Sequence, residues 1–108
     1  MLRQDMIKRA VEQLGAALAR AAGLSRTEQH AEALEALREA KGALPIVPGM
    51  LEDMDAQGLI ESLGVEQAEL LARLLAAEAD LHDRMGRPLL AQRPRRRSRE
   101  LFERLAGR

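Results

Sequence analysis

The sequence predicts an all-α protein of 108 residues, and two observations carry that prediction. Ala and Leu occur 19 times each, whereas Val and Ile occur three times each and Phe102 is the only aromatic residue. Ala and Leu favour helices, whereas strands favour β-branched and aromatic residues. Apolar residues also recur at steps of three and four, the spacing of one face of an α-helix. The length suits a single domain, residues 1–108, with four main helices and one short helix.

The first two helices are predicted to pack as an antiparallel hairpin. The first, residues 2–22, carries apolar residues at steps of four and three, namely Ile7, Val11, Leu14, Leu18 and Ala21. Gly23 is expected to end this helix in the left-handed conformation. Ser25 and Glu28 match the capping box that opens a second helix, which Gly42 ends. Only three residues, Gly23 to Ser25, separate the two helices. So short a link makes them antiparallel neighbours.

Residues 43–64 are predicted to connect this hairpin to the rest of the chain. Two prolines and a glycine make the first part irregular. Four apolar side chains in it are nevertheless expected to pack across the open end of the hairpin, namely Ile46, Val47, Met50 and Leu51. Asp55 is then expected to cap a short helix over residues 56–63, which Gly64 stops.

The end of the chain is predicted to form a second hairpin. Its first helix runs from Val65 to Met85 with a leucine-rich stripe, and Gly86 ends it. The last helix is expected to begin at Pro94 or Arg95, because proline suits a first turn and interrupts a helix elsewhere. Its inward residues are expected to be Leu101, Phe102 and Leu105. The predicted division is a hairpin over 2–42, a connection over 43–64 and a second hairpin over 65–106.

Charge is balanced in total but divided along the chain. Residues 1–86 carry nine basic and fifteen acidic side chains, whereas residues 87–108 carry eight basic and two acidic ones. The absence of cysteine excludes disulfides, thiolate metal sites and cysteine nucleophiles. No apolar run approaches the ~20 residues of a membrane span, and no signal peptide is visible. We therefore expect a cytoplasmic protein with no membrane partner.

The second helix resembles half of a tetratricopeptide repeat. The resemblance lies in small residues where helices touch, a larger residue between them and a proline beyond the end, namely Ala33-x3-Leu37-x2-Ala40-x4-Pro45. A weaker copy follows in the last helix, namely Ser98-x3-Phe102-x2-Leu105. The first-helix half is not matched, since Arg20 falls where a leucine is expected and Gly23 interrupts the helix. The resemblance implies repeat-like hairpins and not a repeat array.

The opening of the chain is similar to a bacterial family of small helical proteins of unknown function. The similarity lies in Arg3-Gln4-Asp5, Ile7, Glu12-Gln13-Leu14 and Leu18-Ala19. It fades after Leu63, and Met6 stands where members of the family carry a tyrosine. This resemblance implies a helical fold and brings no activity or catalytic residue.

Two acidic motifs match metal sites in part. Residues 53–60, DMDAQGLI, follow the start of a calcium-binding EF-hand loop, but Gly64 stands where that loop needs a bidentate glutamate. Glu78 and His82 lie one helical turn apart, but no further ligand is apparent. An acidic turn and a solvated helix face are the better interpretations, so neither a metal nor a cofactor is predicted.

Motifs for catalysis are also missing from the sequence. There is no glycine-rich phosphate loop and no G-x-S-x-G nucleophile motif. The only aliphatic hydroxyls belong to Ser25, Thr27, Ser62 and Ser98, and helix capping would explain the first. We therefore expect that the protein is not an enzyme.

Two surfaces are candidates for binding. An apolar surface would suit a protein partner or a second copy of the chain. It would be either the groove between the two hairpins or an exposed part of the fourth helix, through Leu70, Leu71, Leu74 and Leu75. A basic cluster would suit nucleic-acid phosphates or another anion, through Arg87, Arg93, Arg95, Arg96, Arg97 and Arg99. The lack of aromatic residues for base stacking makes nucleic acid the weaker hypothesis. These arginines could instead pair with the acidic residues 1–86 or with a second subunit.

The sequence therefore favours a non-catalytic protein-interaction or scaffold module with an unidentified protein partner, and a homodimer is one form of it. Nucleic-acid or anionic-partner binding through Arg87–Arg99 is the alternative.

Overall fold

A computed structural model describes residues 2–46 and 49–107 of the chain, with side chains from residue 8 onward. Within these ranges the protein is all-α, as predicted. Its helices are α1 (Leu2–Arg26), α2 (His30–Gly42), α3 (Met50–Asp53), α4 (Ala56–Leu63), α5 (Val65–Arg84) and α6 (Pro88–Ala106).

Helix α5 occupies the centre of the fold. It packs against α1, α2, α4 and α6, whereas the main contacts of α6 are with α5 and α4. The α1–α2 hairpin and α6 therefore cover different sides of α5. Helices α1 and α5 run in the same direction, because Arg9 and Gln67 line one cavity near their starts and Ser25 contacts Arg84 near their ends.

The core consists of leucine side chains separated by alanines. The largest fully buried side chains are Leu14, Leu37, Leu59, Ile60, Leu71, Leu74 and Leu101. Ala33, Ala68 and Ala72 are fully buried as well, and their small side chains let the helix backbones approach closely. The stripe predicted on α1 faces this core through Leu14, Leu18 and Ala21, whereas the side chain of Ile7 lies outside the described part.

The end of α1 differs from the prediction. The helix passes through Gly23 and ends at Arg26, and Glu28 takes the left-handed conformation with φ 61°. The Gln29 N–H bonds the Leu24 carbonyl and the Glu28 N–H bonds the Ser25 carbonyl, the two bonds of a Schellman motif. The extra turn includes Leu24, whose side chain packs against the core.

The predicted capping box at the start of the second helix is consequently wrong. Helix α2 begins at His30, and Gln29 precedes it without a side-chain cap. Ser25 belongs to the last turn of α1, where its hydroxyl accepts a hydrogen bond from Arg84. The predicted end at Gly42 is confirmed.

The connecting segment packs partly as predicted. Ile46 and Leu51 contact the core, whereas Met50 is 42% exposed and Val47 lies outside the described residues. The short helix over 56–63 is confirmed as α4. Its predicted cap is confirmed too, since the Asp55 carboxylate accepts a hydrogen bond from the Gly58 N–H at 2.7 Å.

The second hairpin confirms one predicted boundary and corrects another. Gly86 has φ 74° and ends α5 in a Schellman motif, as expected. The last helix, however, begins at Pro88 and runs through Pro94. An uninterrupted helix buries Ala91 together with Pro94, and this packing compensates for the hydrogen bond that Pro94 cannot donate.

The inward face of α6 is narrower than predicted. Leu101 is fully buried and Leu105 packs partly against the core. Phe102 is 39% exposed, because the buried stripe runs through other positions, namely Ala91, Pro94, Ser98 and Leu101. The expectation that Phe102 faces inward is therefore wrong.

Candidate functional site

The apolar contact surface predicted on the fourth helix is a part of the core. Leu71 and Leu74 have no exposed area, Leu75 is 5% exposed and Leu70 is half-buried. Four helices surround α5, so these side chains already have partners within the chain. This corrects the prediction, since buried leucines cannot contact a second protein.

The basic cluster divides into internal and external arginines, because α6 turns successive side chains by about 100°. Arg95 points back to α5, where its guanidinium donates to the Asp83 carboxylate at 2.5 Å and lies 3.4 Å from Asp80. The hydrogen bond to Asp83, supported by both negative charges, raises the pKa of Arg95 above its ordinary value. Arg95 therefore links the two helices of the hairpin.

Arg97 also has an internal role. Its guanidinium donates hydrogen bonds to the carbonyl oxygens of Leu51 at 2.7 Å and Met54 at 2.5 Å. These carbonyls lie at the end of α3, where the helix itself supplies no donors and a positive charge is favourable. Arg97 is therefore part of the packing between α6 and the connecting segment and is not available to a partner.

The remaining arginines face solvent. Arg93 lies 3.8 Å from Glu52, but both side chains are more than half exposed, so this ion pair is weak. Arg87, Arg96 and Arg99 are exposed, and in the described ranges none of them lies in an ion pair. Of the arginines predicted to pair with the acidic residues 1–86, Arg95 therefore does so, and Arg93 does so weakly.

Two leucines that the sequence interpretation missed stand beside the exposed arginines. Leu89 is 78% exposed and Leu90 is 55% exposed, although both lie in the first turn of α6. Leu89, Arg93 and Arg96 are spaced by four and three residues and therefore share one outward face. We name this surface the α6 outer patch, defined as Arg87, Leu89, Leu90, Arg93 and Arg96.

The apolar periodicity of α6 could have identified these leucines as exposed. The buried stripe of α6 uses positions 91, 94, 98 and 101, and Leu89 lies on the opposite side of a helix with that stripe. The signal was hidden because the last helix was expected to begin only at Pro94 or Arg95. With the observed start at Pro88, the periodicity places Leu89 in solvent.

The two partial metal motifs have other roles. Asp55 caps α4, and Asp53 lies at the end of α3. Glu78 accepts a hydrogen bond from Lys41 at 3.0 Å, which joins α5 to the end of α2. In the ranges that the structure describes, no three acidic or histidine side chains are grouped so as to hold a metal ion.

Two of the hydroxyl groups considered for catalysis, those of Ser98 and Thr27, take part in packing or in a turn. Ser98 is buried, and its hydroxyl donates to the Ala72 carbonyl at 2.7 Å, which joins α6 to α5. Thr27 donates to the Leu24 carbonyl at 3.0 Å in the turn after α1. Neither hydroxyl has a histidine or carboxylate partner among its hydrogen bonds in the described part of the chain.

Comparisons with family models, with curated proteins and with solved structures found no match. Among the described residues, none of the helices combines the length and the hydropathy needed to cross a membrane.

Proposed function

We propose that the protein is a non-catalytic interaction module that binds an acidic protein segment through the α6 outer patch. The observation that carries the proposal is the exposure of Leu89 and Leu90 beside Arg93 and Arg96. Burying a leucine against a partner contributes about 1.5–3 kcal/mol. The arginines would attract an acidic partner and orient it, which affects the rate and specificity of association more than the affinity.

The neighbouring residues favour a protein over nucleic acid. Glu100 and Glu103 continue the same outward face of α6 beyond Arg96, so a long phosphate backbone would meet repulsion there, whereas a short acidic segment would contact Arg93 and Arg96 alone. Phe102 is the only aromatic residue of the chain, so base stacking has little support. Adjacent exposed leucines find no counterpart on a phosphate backbone, whereas they fit the apolar side chains of a protein segment.

The proposal also keeps the expected cytoplasmic location and the possibility that the partner is a second copy of the chain. A protein without cysteine is compatible with a reducing compartment. Light scattering of the purified protein separates the two kinds of partner. If the protein is a dimer that Leu89→Ser/Leu90→Ser dissociates, the partner is a second copy of the chain. If the protein is a monomer, the partner is an acidic segment of another protein.

The decisive experiment is co-purification from the native host, followed by binding measurements with the partner that mass spectrometry identifies. We expect Leu89→Ser/Leu90→Ser to abolish the complex and Arg93→Glu/Arg96→Glu to slow its formation. The matched control is Arg20→Glu/Arg26→Glu, which reverses two exposed charges outside the patch and should leave binding unchanged.

Nuclease treatment and salt distinguish nucleic acid from protein in the same preparations. A complex with nucleic acid would be lost on nuclease treatment and would weaken steeply with salt. It would also tolerate Leu89→Ser/Leu90→Ser, and that outcome would replace the proposal by the alternative of anion binding.

A further inference from the structure

The outward face of α6 continues beyond the α6 outer patch and changes the sign of its charge. Exposed residues recur along it at steps of four, three, four and three, namely Leu89, Arg93, Arg96, Glu100 and Glu103. The first part of this face is therefore apolar and basic, and the second part is acidic. In the described part of the chain, the main contacts of α6 are with α5 and α4, so no other helix covers this face.

The charged groups of this face have few partners within the chain. Arg96 and Glu100 lie one turn apart, yet among the described residues neither of them belongs to an ion pair, and the same holds for Glu103. Arg93 has only its weak contact with Glu52 at 3.8 Å. These groups can therefore pair with charges on another molecule.

An open polar cavity of about 380 Å³ lies beside the acidic part of the face. Its walls include Glu100 and Glu103 of α6, the side chains of Asp55 and Gln57 at the start of α4, and Arg104. Three carboxylates and one guanidinium give this cavity a net negative charge. A protruding arginine side chain of another molecule would match it in charge.

The charge pattern of the face is complementary to itself. Arg93 lies three residues before Arg96, and Glu103 lies three residues after Glu100. Two copies of α6 that pack antiparallel therefore place Arg93 opposite Glu103 of the second copy. In the same register Arg96 lies opposite Glu100 of the second copy, and the two-fold axis repeats both contacts. Parallel packing would instead place like charges opposite each other.

The same register covers the exposed leucines. Leu89 lies four residues before Arg93, and Gly107 lies four residues after Glu103. Antiparallel packing therefore places Leu89 opposite Gly107 of the second copy, and Leu90 opposite Ala106. Both of these small residues are exposed and leave room for a leucine side chain. Burying the leucines there removes apolar surface from water.

We propose that the partner of the α6 outer patch is a second copy of the chain, bound antiparallel through the outward face of α6. This rests on the function proposed above and identifies the acidic segment as Glu100–Glu103. One two-fold contact then satisfies both copies, whereas binding to a different surface would leave one patch free in each pair. Exposed ion pairs are individually weak, so we expect a Kd on the order of 0.1 mM.

Sedimentation of the full-length protein tests the association. At concentrations of about 10 µM to about 1 mM in ~50 mM salt, we expect an equilibrium between monomer and dimer. Raising the salt to about 0.5 M should weaken the dimer at least about fivefold, because salt screens exposed charges.

Reversed charges test the register. Arg93→Glu/Arg96→Glu and Glu100→Arg/Glu103→Arg should each weaken self-association at least about tenfold, because like charges then meet. An equimolar mixture of the two variants should associate again, since every ion pair is restored with its signs exchanged. The matched control, Arg20→Glu/Arg26→Glu, reverses two exposed charges elsewhere and should associate as the unchanged protein does. Circular dichroism checks that each variant is folded.

A spin label tests the antiparallel direction without changing these charges. The chain has no cysteine, so Gln92→Cys provides a single attachment point on an exposed position of α6. Labelled protein mixed with unlabelled ¹⁵N protein should broaden the amide signals of residues 103–107 more strongly than those of residues 89–93. The opposite order would show parallel packing and overturn the proposal.

Two further results would overturn it. One is a monomer at about 1 mM in low salt, and the other is a mixture of the reversed variants that does not associate. The proposed function fails separately. If the protein is a monomer and a co-purified acidic protein still requires Leu89 and Leu90 and tolerates Glu100→Arg/Glu103→Arg, only the second copy is refuted. If neither kind of complex depends on the two leucines, both proposals are refuted.

Discussion

Arg97 of α6 donates a hydrogen bond to the carbonyl oxygen of Met54 at 2.5 Å, across more than forty positions of the sequence. A second bond to the Leu51 carbonyl holds the end of α3 against α6. One arginine of the most basic stretch of the chain therefore stabilises the folded structure and is not part of a binding surface.

Removing this guanidinium should destabilise the protein. Arg97→Met keeps the apolar part of the side chain and leaves two carbonyl groups without their charged donor, at a cost of about 1–3 kcal/mol in the free energy of unfolding. Arg96→Met changes an exposed arginine on the same helix and should stay within about 0.5 kcal/mol. Urea unfolding followed by circular dichroism measures both. Equal stability of the two variants would contradict the internal role of Arg97.

Both Schellman motifs should be more stable with glycine at the left-handed position. Glu28 holds φ 61°, which is unfavourable for a residue with a side chain, so Glu28→Gly should raise the free energy of unfolding by about 0.5–1 kcal/mol. Gly86→Ala should lower it by about 1–2 kcal/mol, because φ 74° is unfavourable for alanine although the space around it is open. Thermal unfolding of both variants tests the pair, and a lower melting temperature for Glu28→Gly would refute this account of α1.

The leucines of α5 and α6 should differ sharply in their effect on stability. Leu74→Ala opens a cavity in the core and should cost about 2–5 kcal/mol. Leu89→Ala removes a side chain that is 78% exposed and should change stability by less than about 0.5 kcal/mol. Chemical denaturation compares the two variants. A large loss for Leu89→Ala would place that residue in the core and remove the basis of the α6 outer patch.

The ion pair between Lys41 and Glu78 should show coupling in a double-mutant cycle. Its side chains are 27% and 13% exposed, so the pair is partly protected from solvent. Lys41→Met leaves the Glu78 carboxylate in place without its partner, at a cost of about 1–2 kcal/mol, and adding Glu78→Leu should recover most of that loss. Additive effects of the two changes would show that the pair contributes nothing.

Local signals in the sequence predicted the boundaries that depend on local geometry. The Asp55 cap, the span of α4 and the left-handed Gly86 all follow from short-range backbone chemistry. Short-range backbone chemistry does not predict the end of α1. That end depends on tertiary packing, because Leu24 contacts the core in the helix that continues through Gly23. In the same way, burial of Ala91 favours a helix that passes through Pro94.

The candidate surfaces were harder to predict because they depend on which helices meet. The sequence predicts the leucine stripe at Leu70–Leu75. Whether that stripe is buried depends on how many helices pack against α5, and the sequence does not show that there are four. The sequence also shows the cluster of arginines. Their division into internal and external groups depends on partners more than ten positions away, namely Asp83 for Arg95 and Leu51 for Arg97.

The central position of α5 has a consequence for the order in which the molecule opens. Helices α5 and α6 are joined by a turn, by the Ser98 hydroxyl bond and by Arg95, whereas α1 and α2 make their main contacts with each other and with α5. The α1–α2 pair can therefore separate as one cooperative unit while the other helices remain packed. Native-state hydrogen exchange should show two levels of protection, with the amides around Leu71 and Leu74 released only in global unfolding.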